Sequence, residues 1–252
     1  MGGTLFIIVW ILIGWFNMTD VDLKLKMISN VPIIIDGISI YSVSIKQIAE
    51  FGYKKYNQAI KILCISKQEI ENLINEKISP LEFLQMNMIF DPNVKIILNE
   101  ILSLICKANV VYSDNQEGFV IGGRLLDKNN FNEVIDIIRK INSVGTTNEP
   151  TEHPSNEKAK MILEKRRKAR MKLMSSSNNN EALNLYDLVS IVAVGLKLPI
   201  DTVTEYSIYQ LLDQFKRLMA KENYETSISS LLHGANKNDL ELKHWTGNKS
   251  AN

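Results

Sequence analysis

Hydrophobic positions along this chain fall into two periods, and the switch between them predicts an α+β fold. In VPIIIDGISIYSV (Val31 to Val43) two short β-branched runs flank Asp36-Gly37. That dipeptide supplies the positive φ angles of a type I′ turn, so a β-hairpin is predicted. A second pair of runs, Val110 to Tyr112 and Gly118 to Gly122, flanks a polar DNQE turn. It is expected to complete one small antiparallel sheet with the first, because a lone hairpin is marginal in water.

Elsewhere the spacing is helical, and the starts are marked by side chains able to accept from the orphan amides of a first turn. Ser44 with Gln47 opens IKQIAEFGYKKYNQAIKILCI, Ser66 with Glu69 opens KQEIENLINEK, and Ser79 with Glu82 opens PLEFLQMNM. Thr202 with Glu205 reads as the cap of the C-terminal helix. Asp91-Pro92 begins NVKIILNEILSLICKA with proline at the first helical position, where its missing N–H costs nothing. Asn130 introduces FNEVIDIIRKI.

The block from Tyr206 to Trp245 is the most distinctive. Ile208, Leu211, Leu212, Phe215, Leu218 and Met219 recur at helical spacing, and Tyr224, Ile228, Leu231 and Leu232 continue in a different phase. A bend or a change of partner face is therefore expected near Asn223, with Gly234 as the left-handed residue that ends the helix. Upstream, Leu185 to Leu196 (LYDLVSIVAVGL) is apolar on every side and must be buried or covered by a partner.

These patterns divide the chain into four parts. Residues 1–17 form an apolar leader, 18–145 an α+β domain, 146–180 a loop, basic helix and Ser/Asn linker, and 181–252 a helical domain with a tail. The leader's core, Leu5 to Phe16, has about twelve apolar residues where about twenty are needed to cross a membrane. It also lacks a charged n-region and a cleavage site. An over-extended start with Met18 as the native first residue is the preferred reading, with a membrane anchor or a structural helix as alternatives. The fold expected is predominantly α-helical, with a small hairpin sheet and helices in the N-terminal half and an all-α C-terminal half.

Composition narrows the chemistry. The 45% apolar content is ample for a core, and 29 Lys plus Arg against 28 Asp plus Glu argues against a surface built for nucleic acid. Cys64 and Cys106 lie in apolar helical patterns and read as buried free thiols, which places the protein in a reducing compartment. None of the three histidines has a nucleophile or metal-ligand spacing around it. His153 lies in a Pro-containing loop, His233 at a helix end where the dipole favours it, and His244 beside Trp245 without a CxxC or HExxH arrangement. GFVIGG (Gly118 to Gly123) has the wrong spacing for a phosphate cradle and fits a hairpin turn. The expectation is no enzyme, no cofactor and no metal. The one charge anomaly is a basic helix over residues 158–172 that includes Lys165, Arg166, Arg167, Lys168 and Arg170. It could bind phosphates but lacks aromatic interleaving.

DLKLKMISNVPIIIDG with the IKQIAEFGYKKYNQ helix, the central NEKAKMILEKRRKAR, and above all SIYQLLDQF with LLHGANKNDLELKHW resemble proteins of phage and prophage tail-morphogenesis modules in low-GC Gram-positive bacteria. The resemblance is to tail assembly chaperones. It implies a non-enzymatic protein of the host cell cytoplasm that keeps the tape measure protein soluble until tail-tube subunits, the major tail protein, assemble around it. Ile208, Leu211, Phe215, Leu218 and Trp245 are the contact candidates, although the first four could equally pack against Leu185 to Leu196. Two alternatives come from the residues themselves: a nucleic-acid-binding accessory protein using the basic helix, and a membrane-associated protein using residues 5–16.

Overall fold

The computed structural model describes residues 19–74, 77–144, 184–234 and 244–246. The leader and the basic helix lie outside these residues. The fold is α+β and mostly helical. It divides into two compact units, one of residues 1–144 with 207–210 and one of residues 145–206 with 211–252.

In the first unit, α1 (Asp20–Ile28) starts at a reciprocal box between Thr19 and Asp22 and leads to the first hairpin. Strands β1 (Ile33–Ile35) and β2 (Ile38–Ile40) pair Ile33 with Ile40 and Ile35 with Ile38. Because side chains alternate along a strand, that register buries all four isoleucines on one face and leaves Ile34 outside. Asp36 and Gly37 hold φ of +48° and +78°, as the turn requires.

The stretch after Ser44 is two helices and not one. Helices α2 (Ile45–Phe51) and α3 (Tyr53–Leu63) meet at Gly52, whose φ of +96° no helix can contain. The apolar periodicity survives the break, which is why the sequence pattern runs across it. Helices α4 (Lys67–Ile74) and α5 (Pro80–Phe90) begin at the Ser66/Glu69 and Ser79/Glu82 boxes. Asp91 then caps α6 (Pro92–Cys106), its carboxylate accepting from the Asn93 amide at 2.9 Å.

The second pair of runs does not join the first hairpin. It forms a separate antiparallel sheet of β3 (Val110–Ser113), β4 (Gly118–Ile121) and β5 (Arg124–Leu126), with β4 in the centre. β5 was not legible in advance because its three residues carry a charge and no β-branched side chain. The buried row comprises Val110, Tyr112, Phe119, Ile121 and Leu126, with Tyr112 and Phe119 edge to face at 5.1 Å.

Helix α6 is the hub of this unit. It packs against α3, α5, β2, β3 and β4, and Leu98, Ile101, Leu102 and Ile105 are fully buried along it. α7 (Phe131–Ile141) packs on β1 and β2. Its Arg139 donates from Nε to the Cys64 carbonyl at 3.0 Å and from Nη2 to the Ile65 carbonyl at 2.6 Å, satisfying acceptors just past the end of α3. Asn130 does not cap α7 through its side chain; it accepts instead from the Asp127 amide and donates to the Leu125 carbonyl.

The second unit contains α8 (Leu185–Leu196), α9 (Ile200–Thr204) and most of α10 (Ile208–Leu232). Thr202 lies inside α9 and does not cap the long helix. That role belongs to Ser207, whose hydroxyl accepts from the Gln210 amide at 3.3 Å while Gln210 Oε1 accepts from the Ser207 amide at 2.9 Å. α10 is continuous through Asn223, so the phase slip marks no interruption. What changes there is burial: Leu211 and Leu218 are buried, and no residue beyond Leu218 is. Gly234, at φ +92°, closes the helix, with His233 Nδ1 2.7 Å from the Ser229 carbonyl.

Candidate interaction surface

α8 is built to sit close to α10. A Cβ at Gly195 would fall 2.3 Å from Leu218 Cδ2, so the absent side chain is what lets the leucine lie against the helix backbone. Asn184 and Asp187 cap the start of α8 reciprocally, and Lys197 in the left-handed region ends it. Only Val189, Val192 and Ala193 of this helix are buried. On another side Val194 is 79% and Tyr186 65% exposed, eight residues apart and therefore on one face. Of the two readings of its all-apolar sequence, complete burial is excluded. A helix exposing these side chains departs from the ordinary amphipathic pattern.

The expected contact residues separate by burial. Leu211 at 0% and Leu218 at 7% are packed inside, Leu218 against Gly195, and serve the core as placed. Ile208 and Phe215 are half-buried. Trp245 is 39% exposed. It stacks on His244, which meets Tyr224 edge to face at 4.8 Å, so an aromatic group holds the tail to α10. His244 Nδ1 lies 2.6 Å from the Thr246 hydroxyl and accepts from the Thr246 amide at 3.3 Å. This second bond requires the lone pair on Nδ1. Tyr186 and Val194 were not singled out among the contact candidates; the uninterrupted apolar character of LYDLVSIVAVGL was the signal. The basic residues Lys165, Arg166, Arg167, Lys168 and Arg170 lie outside the described residues.

Ser207–Gln210, by contrast, group with the N-terminal unit. Gln210 Nε2 donates to the Ile28 carbonyl at 2.7 Å, and its Oε1 also accepts from Asn30 Nδ2 at 3.1 Å. Ser44 and Ser207 form an isolated antiparallel bridge. One glutamine therefore satisfies the end of α1 and the start of α10 together.

Among the described residues no group of three His, Cys, Asp or Glu is placed to hold a metal ion. No helix among them is long and apolar enough to cross a membrane. A shallow depression of about 290 Å³ on the second sheet is lined by Val111, Tyr112, Ser113, Asp114, Asn115 and Val120. Its one carboxylate already pairs with Lys95 at 3.0 Å. Both cysteines are free thiols, and burial pushes each pKa up to about 12, the opposite of an activated nucleophile.

Residues 176–249 match the family described as the YomV second domain. The chain is similar to that family over less than a third of its length, a stretch that includes α8, α9, α10 and Trp245. The family's name comes from a Bacillus prophage region, consistent with a phage protein. No curated protein and no solved structure matches the chain.

Proposed function

We propose that this protein is a non-enzymatic phage tail assembly chaperone that keeps the tape measure protein soluble during tail morphogenesis. The observation that carries the reading is the exposed apolar face of α8, with Val194 at 79% and Tyr186 at 65% exposure. A partner helix that lays its own apolar seam along such a face shields both surfaces from water. Tape measure proteins are long and largely helical, with many such seams. Trp245 adds an aromatic anchor that is held in place and still reachable. The prophage origin of the matching family's name supports the phage setting.

Co-expression with the tape measure protein tests the proposal. The wild-type chain keeps that partner in the soluble fraction, whereas Val194→Glu combined with Tyr186→Glu lets it aggregate while the variant itself stays folded by circular dichroism. A partner equally soluble with and without the chain would sink the reading. The major tail protein is the second candidate for the same assay.

A further inference from the structure

α8 leaves Val194 and Tyr186 outside although it is apolar on nearly every side, and we infer that Gly195, acting through Leu218, is the residue that holds it in that orientation. The rotation of a helix about its own axis is ordinarily set by an apolar stripe. In LYDLVSIVAVGL that signal is weak, because Asp187 is committed to the cap with Asn184 and, apart from the Tyr186 hydroxyl, Ser190 is the one other polar side chain. Burial alone favours turning the helix until Val194, 79% exposed as it stands, is covered.

Sterics oppose that turn. Consecutive residues lie about 100° apart around a helix axis, so a turn of one residue brings Val194 to the place of Gly195. At that place even a bare Cβ would fall 2.3 Å and 2.8 Å from the two methyl carbons of Leu218 and 3.1 Å from its Cγ. Rotation about the Cβ–Cγ bond leaves Cγ where it is, and at 7% exposure Leu218 is packed on its other sides. A turn in the opposite sense brings Leu196 against the same obstacle. Gly195 is the one residue in the last turn of α8 without a Cβ, and seating it against Leu218 leaves Val194 outside. It is therefore a positioning residue, which acts by placing its neighbours. Its meaning for function rests on the chaperone reading, in which this face receives the partner, whereas the orientation itself is measured without one.

Maleimide labelling of the full chain tests the inference, with Cys64 and Cys106 buried and silent. Val189→Cys places a thiol on the buried side of α8 and Ser190→Cys one on the exposed side. Exchanging the two key residues, Val194→Gly with Gly195→Val, keeps the composition and moves the gap by one position. The helix then turns by one residue. A thiol at 189 takes the exposed place and labels roughly tenfold faster or more, while a thiol at 190 moves to the half-buried place of Ile191 and labels severalfold slower. Rates unchanged by the exchange mean that Leu218 gives way, and they overturn the inference. A rise in both rates reports loosening without rotation and overturns it equally. In a second variant, Gly195→Ala alone speeds labelling at 189, and adding Leu218→Ala makes room and restores the protection; protection unmoved by the first change, or not restored by the second, also overturns the inference. Co-expression with the tape measure protein plays no part in these rates, so either reading can fail while the other stands.

Discussion

Replacing Gly118 by alanine tests how tightly the second sheet is closed. The new Cβ would lie 2.5 Å from the Leu126 carbonyl oxygen and 3.1 Å from Leu125 Cδ1. The first neighbour is backbone, which cannot rotate away. Reaching even the 3.0 Å limit of real Cβ contacts (3.0 less 2.5) moves β5 from β4 by about 0.5 Å, and both strands bring fully buried side chains, Phe119 and Leu126, to the core. Overpacking of this kind costs about 1–3 kcal/mol, and the lower unfolded-state entropy of alanine returns about 0.5–1. The net expectation is a loss of about 1–2 kcal/mol, or a midpoint lowered by about 2–8 °C. Urea unfolding followed at 222 nm measures it, and the amides of β4 and β5 should exchange faster. Gly123→Ala separates sterics from conformation. Nothing lies within 4 Å of that Cβ, but φ is +84°, so the left-handed backbone alone costs about 1 kcal/mol. A Gly118→Ala protein as stable as wild type, with unchanged exchange, would refute the steric reasoning.

Gln210→Ala should cost about 1–3 kcal/mol, because it strands the Ser207 amide, in a residue only 1% exposed, together with the Ile28 carbonyl; hydrogen exchange at Ser207 reports the loss, and unchanged protection there counts against the clamp. Both cysteines should resist Ellman's reagent at pH 8 until denaturant is added, since burial raises their thiols from the ordinary 9.0 to about 12. The sign follows: the folded state is favoured by neutral thiols below pH 9, and that stabilisation is lost as pH rises from 9 towards 12. In acid the direction reverses. The carboxylates of Glu69 and Glu82 are held below the ordinary 4.5 by bonds from Ser66 and Ser79, so these caps stabilise α4 and α5 above that pH and weaken as it falls. Glu69→Gln with Glu82→Gln should flatten the acid limb of a stability titration, because the bond from each serine's own backbone amide is the largest cause of the lowered pKa and a serine substitution would leave it in place; an unchanged limb would remove the caps from the account.

The sequence by itself determined most of the local structure, because caps and turns are written in neighbouring residues. Ser44, Ser66, Ser79 and Asp91 start helices where their side chains reach amides two or three positions on, and Asp36-Gly37 turns the first hairpin. Tertiary structure decided which apolar positions are used for packing. Leu211 and Leu218 belong to the same helical stripe as Phe215, yet the first two are buried and the third only half so, a distinction that depends on what lies opposite and not on spacing. Likewise LYDLVSIVAVGL reads as an all-apolar helix, and only the fold shows that Val194 is left facing out. Thr202 against Ser207 shows the limit for caps: both are hydroxyl residues with an acceptor side chain three positions on, and the partners of Gln210 remote in sequence, Ile28 at the end of α1 and Asn30 just past it, accompany the start at Ser207. Periodicity fixes which residues share a face; the long-range contacts fix whether that face is core or surface.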